Sequence, residues 1–123
     1  MNVLIVLWAA TPDRPELLGA PFVYAATAAA LDAEVEVHFS GAAVRLLVAG
    51  VAEELRCEPW ERPNLYACMR DAAAAGARFL ACSTALKRYV RPGEPMIPEF
   101  GGAAGAATLM QRTLDPGWRT MVF

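Results

Sequence analysis

Hydrophobic and polar positions fall into blocks along this chain, and the period of the pattern switches repeatedly between strand and helix. The first block, Val3-Leu4-Ile5-Val6-Leu7-Trp8, is an unbroken apolar run of the kind shown by a strand buried on both faces of a parallel sheet. It is expected to be the central strand. Thr11-Pro12-Asp13-Arg14-Pro15 breaks the run, and a helix is predicted over 15–31, with Leu17, Leu18, Phe22, Ala25 and Ala29 setting its period. Glu34-Val35-Glu36-Val37-His38-Phe39 then alternates strictly. That spacing sends Val35, Val37 and Phe39 towards a helix layer and leaves Glu34, Glu36 and His38 on a wetter side, so this strand reads as less buried than the first, with a partly exposed histidine. Ser40-Gly41 ends it, and a short helix over 42–49 carries Val44, Leu47 and Val48.

Residues 51–63 hold Glu53, Glu54, Glu58, Glu61, Pro59 and Pro63 with no clear period, which reads as an irregular connection. Asn64 is placed to cap a helix running to Ala75, with Leu65, Cys68, Met69 and Ala72 on one face and Gly76 at its end. Residues 77–81 form a third strand that delivers Cys82 to another helical turn, where Ser83 and Thr84 are N-cap types and Leu86 continues the apolar face. A stiff loop over 89–100 follows, containing Pro92, Pro95 and Pro98, with a short edge strand at 96–100 and the position of a candidate lid. Gly101, Gly102 and Gly105 are expected to open a last helix to Leu114, and 118–123 alternates as a closing strand.

Strands alternating with helices imply one α/β domain over 1–123, a parallel sheet with right-handed crossovers and helices on both faces. In such a sheet the carboxyl ends of the strands share one edge with the amino ends of the following helices, and ligands bind there. That edge is expected to gather residues 9–13, Phe39-Ser40-Gly41, Cys82-Ser83-Thr84 and the glycine-rich segment.

Composition adds an expectation of assembly. Apolar residues make up 56% of the 123, above the roughly 45–50% of ordinary soluble domains, and a domain this small cannot bury all of that surface alone. Eleven basic and thirteen acidic side chains are interspersed without a basic stripe, which argues against nucleic acid as a partner. The apolar start is too short to span a membrane and lacks the basic flank of a signal segment. Three cysteines, Cys57, Cys68 and Cys82, have no framework spacing, so free thiols in a reducing, cytoplasmic setting are expected.

Candidate chemistry centres on Cys82. At a strand-to-helix turn, unpaired backbone N–H groups and the helix dipole favour a thiolate. The alternative is a small inert core residue. Lys87 and Arg88 are candidates to steer an anionic substrate, or else simply complement the end of their own helix. Ser40 and Gly41 are candidates for an anion-binding turn, or a helix cap. His38 is the only histidine and no Cys/His spacing suggests a metal site; the glycines lack a dinucleotide fingerprint, so no cofactor is expected. Trp8, Trp60 and Trp118 read as core or subunit contacts.

The order of these pieces resembles the DsrE/DsrF-like sulfur-relay family, which includes TusD- and YchN-type proteins. The stretches that carry the resemblance are Val3 to Leu7, then Val35-Glu36-Val37-His38-Phe39 followed by Val44-Arg45-Leu46-Leu47, then Ala81-Cys82 followed by Leu86-Lys87-Arg88, and finally Thr108-Leu109-Met110 through Met121-Val122-Phe123. The resemblance implies a three-layer α/β/α sandwich around a five-stranded, mostly parallel sheet, assembled as a trimer or hexamer, with sulfur carried as a persulfide on Cys82. It differs in two places: Tyr89 follows Arg88 where the family commonly has glycine, and Ala42 and Ala43 stand where an aspartate is frequent. Cys82 is thus the candidate nucleophile and Ser83, Thr84, Lys87, Arg88, Ser40 and Gly41 the candidate substrate-binding residues of a sulfur carrier or sulfurtransferase-like protein with donor and acceptor protein partners. The alternative is a non-catalytic oligomeric binding or assembly protein of the same fold. A flavin or nicotinamide enzyme ranks third.

Overall fold

Five short parallel strands make the sheet, and the sequence explains most of them locally. The computed structural model describes residues 1–56 and 62–123, so Cys57 and Trp60 lie outside the described residues. Strand β1, Asn2–Leu7, is buried from Leu4 onward. After a 3₁₀ turn at Pro15–Leu17, helix α1, Gly19–Ala30, lays Phe22 and Ala25 against the sheet. Strand β2, Glu34–Phe39, feeds a 3₁₀ segment, Gly41–Leu47, where a short helix was expected. Helix α2, Leu65–Ala75, starts as the sequence predicts, with the Asn64 side chain accepting the N–H of Ala67, and ends at Gly76. Strand β3, Arg78–Cys82, runs directly into helix α3, Ser83–Tyr89. Strand β4, Phe100–Ala104, helix α4, Ala106–Leu114, and strand β5, Trp118–Val122, complete the chain.

The strand order is β4-β3-β2-β1-β5, all parallel. The central strand is therefore β2, not β1, and β1 is interior between β2 and β5. An unbroken apolar run reports burial on both faces but does not say which interior position a strand holds. The expectation that β2 is half wet is also overturned: every residue from Val35 to Phe39 is buried, because α4 covers the face that carries Glu36 and His38.

The glycine-rich segment is a second correction. Residues 100–104 form an edge strand rather than the start of a helix. Gly101 sits so close to β3 that a Cβ there would lie 2.8 Å from the carbonyl oxygen of Phe79, so this strand needs a residue of low strand propensity and hides from a propensity reading. Between Phe79 and Ala81 the ladder shifts by one residue, taking Phe79 to Phe100 but Ala81 to Ala103, a bulge in β4. The proline-bearing loop before it is fastened down: Ala49 donates to the Pro95 carbonyl, Ile97 to that of Leu47, and Tyr66 to the Glu99 carboxylate.

The two faces of the sheet are packed unequally. On one, α1 and α2 cover a large core in which Phe22, Phe39 and Phe79 form an aromatic trio with ring centroids 5.3 to 6.0 Å apart. On the other, the buried apolar cluster is small: Leu4, Val6 and Trp118, with Leu109 of α4 against them.

Candidate functional site

Strand β3 carries its residues to the site by simple alternation. In its register with β2, Phe39 stands beside Ala81 and His38 beside Leu80. Phe39 and Ala81 belong to the large core, so His38 and Leu80 occupy the opposite face, while Cys82, at the end of β3, packs partly against the large core and shares a cleft lining with His38. Cys82 is the N-cap of α3 and is a free, partly exposed thiol. It opens on a cleft of about 230 Å³ lined by Trp8, His38, Ser40, Gly41, Cys82, Ser83, Thr84, Ala104, Gly105, Ala106 and Leu109. The cleft lies at the carboxyl ends of β1 to β4, where a parallel sheet offers a binding edge. Gly41 has φ of 54°, which lets the chain turn sharply out of β2 and keeps the floor beside Ser40 open.

Five of the seven candidate residues, Cys82, Ser83, Thr84, Ser40 and Gly41, therefore meet at one cleft. Lys87 and Arg88 do not. They lie exposed in the last turn of α3, and the Arg88 guanidinium rests 5.6 Å from the centroid of the Tyr89 ring. The 89–100 loop contributes no lining residue, so it is not a lid over this cleft. Trp8 is 68% exposed and forms part of the rim, while Trp118 is buried.

Sequence reasoning missed the polar network beneath the cleft. Glu36 is fully buried, and both its oxygens are fully used. Oε1 receives His38 Nε2 at 3.2 Å and Arg112 Nε at 3.3 Å, and Oε2 receives Arg112 Nη2 at 3.1 Å and Arg78 Nη1 at 3.5 Å. Burial acts to raise the Glu36 pKa. Hydrogen bonds and positive charge from Arg112, with the His38 hydrogen bond, outweigh it and hold the carboxyl below its ordinary value. Arg112 also lies over the Trp118 ring, 4.6 Å from its centroid. Because an ionised carboxylate only accepts, the contact with His38 requires the proton on Nε2. Alternating Glu and His in β2 was the available signal, but its partner Arg112 lies 76 residues from Glu36 in the chain.

Cys68 is not a free thiol, as had been expected of it. It is disulfide-bonded, and it is buried in the large core beside α1. A wider concavity of about 620 Å³ on the outer side of α2, lined by Arg62, Arg70, Asp71 and Glu99 among others, carries no nucleophile among its described residues. Arg62 pairs there with Asp71.

A parallel α/β sheet whose carboxyl edge presents a free cysteine defines a class of small thiol-bearing domains. The profile of the DsrE/DsrF-like family matches residues 2–123, and the chain belongs to that family. Its fold is similar to that of the YchN protein of E. coli, with a TM-score of 0.75 at 17% identity and complete coverage of both chains. It is also similar to MTH1491, a protein of unknown function from Methanobacterium thermoautotrophicum, with a TM-score of 0.69 at 17% identity, covering 99% of this chain and 98% of that one. A comparison with curated proteins finds no match. Among the described residues no helix is long and apolar enough to cross a membrane.

Proposed function

We propose that this protein is a sulfur carrier that holds persulfide sulfur on Cys82. The observation that carries the reading is the free Cys82 thiol opening on a cleft at the carboxyl edge of the sheet; membership of a sulfur-relay family supports it. In the step proposed, the Cys82 thiolate attacks the outer sulfur of a donor persulfide. A new S–S bond forms to Cys82, the donor's S–S bond breaks, and the donor leaves as a thiol after taking a proton. The outer sulfur keeps its oxidation state, so no external oxidant is needed. Passing that sulfur to an acceptor protein thiol repeats the exchange in reverse. Ser83, Thr84, Ser40 and Gly41 line the space the sulfur would occupy. Lys87 and Arg88 belong in this reading only as long-range attraction for an acidic partner.

The reading includes a homo-oligomer, as a trimer or a pair of trimers, working in the cytoplasm. Of the two contact regions the sequence suggests, the 89–100 loop and the second strand, β2 is interior to the sheet and cannot supply one. Exposed Trp8, Met110, Leu114, Met121 and Val122, on the thinly covered side and at the β5 edge, fit that role better. The cytoplasm is proposed because relay chemistry needs reduced thiols, and no longer from the cysteine count, given the disulfide at Cys68.

Intact-mass analysis after incubation with a small persulfide donor tests the relay. The expected result is a gain of one sulfur that is lost in Cys82→Ala. Labelling without dependence on Cys82 would overturn it, and a thiol that reacts only after denaturation would favour the non-catalytic assembly reading.

A further inference from the structure

Below the cleft, Glu36 and His38 are arranged in a way that loading sulfur on a cysteine does not by itself require. His38 is 4% exposed, yet it lines the cleft into which Cys82 opens. Its Nε2 is committed to Glu36, whose remaining capacity is filled by Arg112 and Arg78. Among the described residues its other ring nitrogen, Nδ1, makes no hydrogen bond, and no buried polar side-chain atom there lacks a partner, so Nδ1 is not sealed in the interior. His38 is among the residues that line the cleft, together with Cys82.

A fixed Nε2–H leaves Nδ1 with its lone pair, a proton acceptor facing a chamber that holds one thiol. We infer that His38 is the base that takes the Cys82 proton through Nδ1, with Glu36 and Arg112 as positioning residues that fix the ring's orientation and tautomer. This is the nucleophile, base and orienting-acid logic of thiol and hydroxyl catalysts, built here on two neighbouring strands.

The step balances simply. The S–H bond of Cys82 breaks, an N–H bond forms at Nδ1, and a thiolate–imidazolium pair results with no change in oxidation state. When the donor's thiolate leaves, the same proton returns to it. The charges that face this pair are Glu36 and His38 from β2, Arg78 from β3 and Arg112 from α4. Glu34 and Asp115 act on Arg112 from further away. The guanidinium groups bond to Glu36, so the carboxylate is the charged group in direct contact with the His38 ring.

The inference rests on Cys82 being the working thiol of the relay, but its test needs no sulfur donor. The rate of Cys82 modification by iodoacetamide is measured from pH 6 to 9.5 in the native protein and in His38→Gln, which keeps a donor for Glu36. The expected result is a loss of on the order of tenfold at pH 6.5, with equal rates at pH 9.5, where hydroxide replaces the base. Superimposable profiles would overturn the inference. Should His38→Gln fail to fold, long-range ¹H–¹⁵N spectra of the unaltered protein decide: a neutral imidazole protonated on Nε2 is expected, and one protonated on Nδ1 would overturn it. Glu36→Gln is expected to shift that tautomer balance and flatten the pH profile, a change that lost packing alone would not cause. A His38-dependent profile in a protein that never gains sulfur would sink the relay and leave this inference standing; sulfur loading with unchanged profiles would do the reverse.

Discussion

Replacing Arg112 by methionine removes the main partner of a fully buried carboxylate while retaining a stem of similar length over Trp118. Breaking a buried ion pair by deleting one member costs about 3–5 kcal/mol when the other is left alone. Glu36 would not be alone, since His38 at 3.2 Å and Arg78 at 3.5 Å remain. The Arg112 side chain is also 34% exposed, so water already screens part of its charge. Those two facts bring the expected loss to about 2–3 kcal/mol, with roughly 0.5 more for the lost cation–π contact. For a domain of this length that corresponds to a drop in Tm of about 10 °C.

The pH dependence gives the sharper test. The folded Glu36 pKa is held below the ordinary 4.5, so its stabilisation is present above that value and is lost as pH falls through the folded pKa. In Arg112→Met, burial acts with its principal opponent gone, and Glu36 takes up its proton at higher pH. The variant's deficit is therefore greatest near pH 7 and shrinks below pH 4.5. Urea denaturation at several pH values, at one protein concentration, reads both quantities. A deficit under about 0.5 kcal/mol at pH 7, the scale of an ordinary surface change, or a deficit independent of pH would refute the reasoning.

Three further outcomes follow from other contacts. Gly101→Ala places a methyl 2.8 Å from the Phe79 carbonyl; a backbone atom cannot swing aside, so a loss of about 1–3 kcal/mol and faster amide exchange along β4 are expected. Asn64→Ala removes the oxygen that accepts the Ala67 N–H at 2.9 Å, costing about 1 kcal/mol by urea denaturation, with Asn64→Asp restoring most of it. Phe79→Ala empties the centre of the aromatic trio and should cost about 3–5 kcal/mol, unfolding the protein at markedly lower urea.

The class of fold was legible because it rests on local signals: an apolar run, a strict alternation, an asparagine cap and a glycine stop each point to one element without reference to the rest. The thiol at the carboxyl edge followed from the same logic, since chain order alone puts the end of β3 beside the start of the next helix. What could not be read depends on distant partners. Alternating Glu36 and His38 looked like a wet face because nothing nearby in the sequence announces that Arg112 will fold over them. β4 escapes a pattern reading because Gly101 serves a close approach to the Phe79 carbonyl, a requirement that belongs to the neighbouring strand and leaves no trace in β4's own pattern. Lys87 and Arg88 were grouped with Cys82 by proximity in the chain, whereas a turn and a half of helix carries them away from it.

The unequal packing of the two sheet faces has an evolutionary consequence. Substitutions among Phe22, Phe39, Phe79 and their neighbours put the whole domain at risk, so that side admits few solutions. The side that carries the histidine rests on a small apolar cluster of Leu4, Val6 and Trp118, with Leu80 buried beside His38. Side chains there can be exchanged with little loss of foldedness, provided the Glu36 charge is kept matched. Chemistry along that face can therefore be altered at small cost to an architecture that is held together from the other.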